Sequence, residues 1–322
     1  MGPNAKGALL ALFGFAVFST HDVIVKTLGG TYSPYQLLFF NVLFGFPLLS
    51  FMLVRDSVAD TLRPRHPWWT VVRMVSITIA SASIFYAFSV LPLAQTYSIL
   101  FLFPLFITLL SIPMLGEKIG IQRGGAMLLG LAGVLIVLQP GTTTFGIGHV
   151  AALVGVFFSA LGSIIVRRVG RAERNLVLLL FPMLGNFIVM GTLMPFTYVP
   201  MPLADLAALA LMSLLGFIGL NCMIIAYQWA EAVVVAPMQY SQMIWATIFG
   251  TLLFGDRLET STVVGTLVIV VSGLIIVLRE GRKNISDNTP VLRSGGRLPA
   301  GAMPEQSVAR DGLNATKPPG EK

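Results

Sequence analysis

Long apolar runs, with the charged side chains gathered between them, constrain this chain more than any other feature. The runs are roughly 18–22 residues long, and a helix of that length crosses a bilayer core of about 30 Å. Ten such spans fit, near 7–28, 34–54, 70–90, 94–115, 121–139, 148–168, 176–198, 205–228, 232–254 and 260–279. Short Gly- and Pro-rich connections such as Gly29–Pro34 and Gln139–Gly148 punctuate them. Of the 322 residues, 55% are hydrophobic and 11% charged, whereas a water-soluble domain carries about 25% charged residues. Too little polar surface remains to cover a soluble globule, so the expected fold class is an all-α integral membrane protein.

The distribution of charge sets an expected orientation. Arg55, Arg63, Arg65 and Arg73 cluster around the second connection, Lys118 and Arg123 around the fourth, and Arg167, Arg168, Arg171 and Arg174 around the sixth. Lys6 and the stretch from Arg279 onward fall on the same side if there are ten spans. Lys and Arg favour the cytoplasmic side, so both termini are expected there. The net charge of +7 therefore reads as a topology signal, and no nucleic-acid partner is expected. The first apolar run is too long for a signal-peptide core and is read as a retained helix. Residues 281–322, rich in Gly, Pro, Ser, Asn and Arg, are expected to form a disordered, basic cytoplasmic tail.

The chain also says one thing twice. Leu115-Gly116-Glu117-Lys118 recurs as Phe254-Gly255-Asp256-Arg257, an offset of 139 residues. Each copy follows an apolar run and precedes a glycine-dotted one; with one inserted residue, Gly125 pairs with Gly265 and Gly133 with Gly273. Two repeats are expected, 7–139 and 148–279, of five helices each. Five is odd, so the second repeat enters the membrane inverted, a plan of secondary transporters that places a site near midplane between the halves. The doubled turn itself is expected to end helices and hold its charges at headgroup level.

Ten spans, a duplicated half and Gly-Glu-Lys/Gly-Asp-Arg turns resemble the drug/metabolite transporter superfamily in its EamA-domain branch, over about 7–279. The resemblance implies transport of small metabolites or amino acids without ATP hydrolysis, in a bacterial inner membrane. His21-Asp22-Val23-Ile24-Val25-Lys26 followed by Pro34-Tyr35-Gln36 resembles the riboflavin transporter group of some bacteria. Many relatives carry Arg in span two where this chain has Asn41, so the resemblance does not carry over an anionic or carboxylate substrate.

Polar groups inside the spans are the candidate machinery, because burying them in hydrocarbon is costly. His21, Asp22 and Lys26 lie in the outer part of span one. Asp22 and Lys26, four apart, share a helical face and are expected to pair as an outer gate. Glu231, at the start of span nine, is a further gating or coupling candidate, as a proton site or a helix cap. In span nine Pro237 is followed by Gln239, Tyr240, Gln242 and Trp245; the two glutamines are expected on one inward face that Trp245 extends. Tyr97, Tyr86 and Asn41 complete the expected substrate-binding set, with Pro104 and Pro237 freeing backbone groups at depth.

Amides, hydroxyls and aromatic faces with little fixed charge suit a small, neutral, planar or polyhydroxylated solute. Riboflavin uptake fits, as does transport of other heterocycles; export of amino acids or other metabolites is the alternative. A membrane-embedded enzyme or a scaffold is the rival class. An enzyme would need clustered acid–base or metal-ligating groups, but His21, His66 and His149 are scattered and Cys222 is the sole cysteine. No catalytic residue, metal or cofactor is expected, and no phosphate-binding loop of the Gly-x-x-x-x-Gly-Lys-Ser/Thr kind is present. The expected partners are the lipid bilayer and the solute. Glycine rows in spans five and ten permit close helix approach within one chain or between two copies of a homodimer.

Overall fold

The computed structural model describes residues 3–55, 62–116, 121–138, 146–169, 173, 175–230, 232–256 and 259–280. All regular structure among them is helical. The first repeat comprises α1 (Pro3–Gly29), α2 (Pro34–Arg55), α3 (Pro67–Val90), α4 (Leu93–Leu100), α5 (Phe103–Leu115) and α6 (Ile121–Leu138). The second comprises α7 (Ile147–Val169), α8 (Asn175–Thr197), α9 (Leu203–Trp229), α10 (Ala232–Val235), a 3₁₀ turn (Ala236–Tyr240), α11 (Ser241–Phe254) and α12 (Thr260–Glu280).

Ten crossings result, because α4 with α5 makes the fourth and α10, the 3₁₀ turn and α11 make the ninth. Six described helices are long and apolar enough to cross a membrane, and three shorter apolar stretches lie in α2, α6 and α12. Ten crossings bring the start of α1 and the end of α12 to one face, the terminal face; the opposite one is the far face.

The inverted duplication shows in the packing. α1 packs on α9 as its counterpart α7 packs on α3, and α2 touches α9 as α8 touches α3. Two further pairs, α2 with α8 and α6 with α12, join counterparts directly. The protein is thus an all-α integral membrane protein of two inverted five-helix repeats.

The doubled turn has the expected local cause. Gly116 and Gly255 end their helices with φ of 71° and 65°, a left-handed conformation that only glycine adopts without steric cost. Between α6 and α12 glycine has a different task. A Cβ on Gly265 would sit 2.6 Å from the carbonyl oxygen of Gly133, and one on Gly133 would sit 2.9 Å from that of Gly265. The two backbones therefore touch, and the Ser272 hydroxyl donates across the seam to the Ala126 carbonyl at 2.5 Å. Here the expected close approach occurs within one chain.

The fourth and ninth crossings are both interrupted. Phe101 and Leu102 separate α4 from α5, and the 3₁₀ turn precedes α11. At the 139-residue offset Phe101 corresponds to Tyr240, and the two rings meet edge to face at 5.2 Å. The interruptions thus face each other near the axis relating the halves.

Candidate transport site

A cavity of about 210 Å³ opens between the repeats. Its walls come from α1, α2, α3, the α4–α5 junction, α7, α8, α9 and the 3₁₀ turn. No described residue of α6 or α12 lines it. Phe18, Phe85, Phe88, Phe103 and Phe217 supply flat apolar surface. Polar groups are few and spread round the wall: Asn41, Ser81, Ser159, Asn186, Ser213, Gln239 and the adjacent pair His21 and Asp22. Asp22 is the one carboxylate among the described lining residues.

Asp22 is 4% exposed, and it persists there because it is partnered. Its Oδ1 lies 3.0 Å from His21 Nδ1, and its Oδ2 accepts a short hydrogen bond from the Tyr97 hydroxyl. Tyr97 Oη also reaches Ser19 Oγ at 3.4 Å. With Nδ1 protonated, His21 donates to Asp22. The His21 ring lies edge-on to Phe85 at 6.2 Å, and Gly216 leaves room beside it. A buried acid, an imidazole and a phenol thus form one network at the cavity wall.

Of the residues expected to bind solute, Asn41 and Gln239 line the cavity. The Oδ1 atoms of Asn41 and Asn186 are buried with no hydrogen-bond partner among the described residues, so both remain available to a guest. The other expected residues lie elsewhere. Tyr97 is fully buried behind the wall, where it holds Asp22. Trp245 stacks on Phe249 at 6.0 Å, Tyr240 packs on Phe101, and half-buried Tyr86 is not in the lining. Gln242 is fully buried and outside the lining. Along this crossing the lining ends at Gln239, within the 3₁₀ turn, and no described residue of α11 joins it.

The expected Asp22–Lys26 pair does not form. Asp22 is engaged by His21 and Tyr97, and the long Lys26 side chain extends toward the far face. There its Nζ meets Asp256 Oδ2 at 2.6 Å and sits 4.5 Å over the Phe254 ring. The ion-pair partner of Lys26 is therefore the acid of the doubled turn, and the contact joins the end of α1 to the end of α11. Spacing within one helix could not show this contact between residues 230 positions apart. Glu231 and the 281–322 tail lie outside the described residues.

Two sets of ties hold the ends of α2 and α8. At the far face Gln36 donates to the Val199 carbonyl at 2.7 Å and accepts from the Val199 amide at 3.0 Å. Beside it the Tyr32 hydroxyl donates to Asp205 at 2.5 Å and Ser33 donates to Thr197 at 3.2 Å. The bond to Asp205 keeps the Tyr32 proton in place and raises its pKa above the ordinary tyrosine value. At the terminal face Glu173 accepts from the backbone amides of Arg65 and His66 at 3.1 and 2.5 Å, next to the start of α3. Sequence reading missed these ties and the cavity residues Ser159 and Ser213. Ser213, Gly216, Phe217 and Leu220 form an i, i+3, i+4, i+7 stripe, the one local signal that marked this wall.

Inverted repeats around a partly polar central cavity define a secondary membrane transporter. The EamA-like transporter family model matches twice, over residues 5–139 and 146–278, and the chain belongs to that family, within the drug/metabolite transporter superfamily. An S-adenosylmethionine uptake transporter of Rickettsia bellii is 24% identical over 263 residues, 81% of this chain and 90% of the relative. A pseudopaline exporter of Pseudomonas aeruginosa is 25% identical over 272 residues, 83% of this chain and 94% of the relative. A solved crystal structure with a TM-score of 0.61 and 18% identity spans 87% of this chain and 99% of its own, and supports the fold. The chain is accordingly a multi-pass membrane transporter and not an enzyme.

Proposed function

We propose that the chain moves a small metabolite across the bacterial inner membrane by alternating access, with the terminal face toward the cytoplasm. The observation that carries this reading is Asp22, the one carboxylate among the described lining residues of a cavity otherwise walled by aromatic rings, amides and hydroxyls. Such a wall recognises a flat or apolar body that bears a positive centre or N–H and O–H donors. An anionic solute would meet Asp22 unfavourably, in line with Asn41 in place of Arg.

Riboflavin is the neutral candidate, resting on the first-span resemblance: its ring suits the phenylalanines, and its ring N–H and ribityl hydroxyls suit Asp22 and the amides. A cationic metabolite is the second reading, favoured by the buried carboxylate and by a relative named for S-adenosylmethionine uptake. The purified chain in liposomes, offered each solute in turn, separates the two. Growth of a riboflavin-requiring cell on scarce external riboflavin tests the first in vivo. Asp22→Asn is expected to lower flux of the accepted solute about a hundredfold, as loss of a buried charge-assisted contact does. Parent-like flux in that variant would overturn the site. Reporter fusions test the orientation, and a C-terminus found outside would reverse it.

A further inference from the structure

Gln242 is fully buried, and neither its Nε2 nor its Oε1 has a hydrogen-bond partner among the described residues. Buried amides are normally satisfied, so two unmet atoms on one side chain require an explanation. The duplication supplies one. At the 139-residue offset Gln239 corresponds to Leu100 and Gln242 to Phe103. The match extends to the backbone, for α5 and α11 both begin just after an interruption and both end at a left-handed glycine. Leu100, Phe103 and Gln239 line the cavity; the fourth member of the set, Gln242, does not.

In an inverted-repeat transporter the two facing states arise when the halves exchange conformations. The half that now presents Phe103 to the cavity then withdraws it, and its counterpart presents Gln242. We propose that Gln242 is a solute contact that enters the cavity only in the state opposite to this one, where its amide meets the polar edge of the solute. The residue occupies a costly position here because the other state satisfies it. The inference rests on the alternating-access reading above and adds that the two states hold the solute differently: an aromatic face from Phe103 in one, an amide from Gln242 in the other.

Single-cysteine reporters in a Cys222→Ser chain test this. Gln242→Cys and Phe103→Cys are each reacted with N-ethylmaleimide in membranes, without and with Lys26→Ala, which releases the tie holding α11 to α1. Release is expected to raise the reaction rate at position 242 roughly fivefold and to lower it at 103, since the two positions report opposite populations. A cysteine at 242 that stays unreactive in both backgrounds, or rates that rise together at both positions, would overturn the proposal.

Gln242→Leu provides a second reading that needs no cysteine. Replacing an unpartnered buried amide with an apolar group of similar size is expected to leave the melting temperature unchanged or higher, while turnover of the accepted solute falls about tenfold. A lower melting temperature would mean that the amide is structural in this state. Labelling requires no solute, so its outcome stands apart from the Asp22→Asn result. Failure of the site leaves the reporters interpretable, and failure of the reporters leaves the site intact.

Discussion

The two ends of the α2–α8 pair are equivalent by topology and unlike in chemistry. At the far face the α1–α2 loop meets the α8–α9 loop; at the terminal face the α2–α3 loop meets Glu173 of the α7–α8 connection. Inversion of the repeat exchanges these two loop pairs. Yet the far end is tied by a reciprocal amide–backbone bridge, a phenol–carboxylate bond and a hydroxyl pair. The terminal end is tied by a carboxylate gripping two backbone amides at the start of α3 and by the Arg73 guanidinium donating to the Leu178 carbonyl of α8. Duplication fixed where the halves touch, and later divergence chose the groups. Unequal ties mean unequal costs of opening, so the two facing states need not be equally populated.

Removing the ties one at a time breaks or sharpens that contrast. Glu173→Ala should have the largest effect, because two charge-assisted bonds are lost beside the positive end of a helix, worth about 2–3 kcal/mol. Hydrogen exchange at the Arg65 and His66 amides should quicken, and a cysteine at Ser213 should label faster from the terminal face. Unchanged exchange there would show that Glu173 is no tie. Gln36→Leu should come next, at about 1–2 kcal/mol for two neutral bonds; the Val199 amide should lose protection and labelling should rise from the far face. Equal effects of these two variants would erase the proposed asymmetry.

Lys26→Met should follow at about 1 kcal/mol, since the pair with Asp256 is only partly shielded from solvent; high salt should reproduce part of its effect. Salt-insensitive labelling in the parent would speak against an electrostatic tie. Tyr32→Phe should have the smallest effect. A raised tyrosine pKa gives a contribution that is complete below the ordinary value of 10.0 and fades as pH climbs through the raised one. Tyr32→Phe should therefore loosen the far face slightly at neutral pH, and the parent should approach the variant's labelling only in strong alkali; a parent that loses the difference near neutrality would contradict this.

Much of the fold was legible because its signals are local or periodic. Apolar runs, arginine clusters and the paired glycines Gly116 and Gly255 each act within a few residues of themselves. The candidate site was legible in part. His21, Asp22, Asn41 and Gln239 stood out as polar groups in apolar runs, and they line the cavity. Gln242 and Trp245 were placed on one face with Gln239 by their three-residue spacing, and spacing does not show that the lining of this crossing ends at Gln239. Asp256 was read as a headgroup-level charge, since nothing in its own neighbourhood points to Lys26. Contacts across the bundle depend on how the helices assemble, and one sequence carries no record of that distance.

The backbone contact of Gly133 with Gly265 has a mechanical consequence. Where two helices touch main chain to main chain, neither can slide or compress without a clash, so this crossing acts as a fulcrum. No described residue of α6 or α12 enters the cavity wall, so under the alternating-access reading proposed above this pair can bear load while the other eight crossings change shape. A residue about ten positions along a helix lies about 15 Å from such a fulcrum, so a tilt of about 10° carries it about 3 Å, enough to break a hydrogen bond. A methyl group at either glycine would push the fulcrum apart, and every lever that pivots on it would lose its reference point.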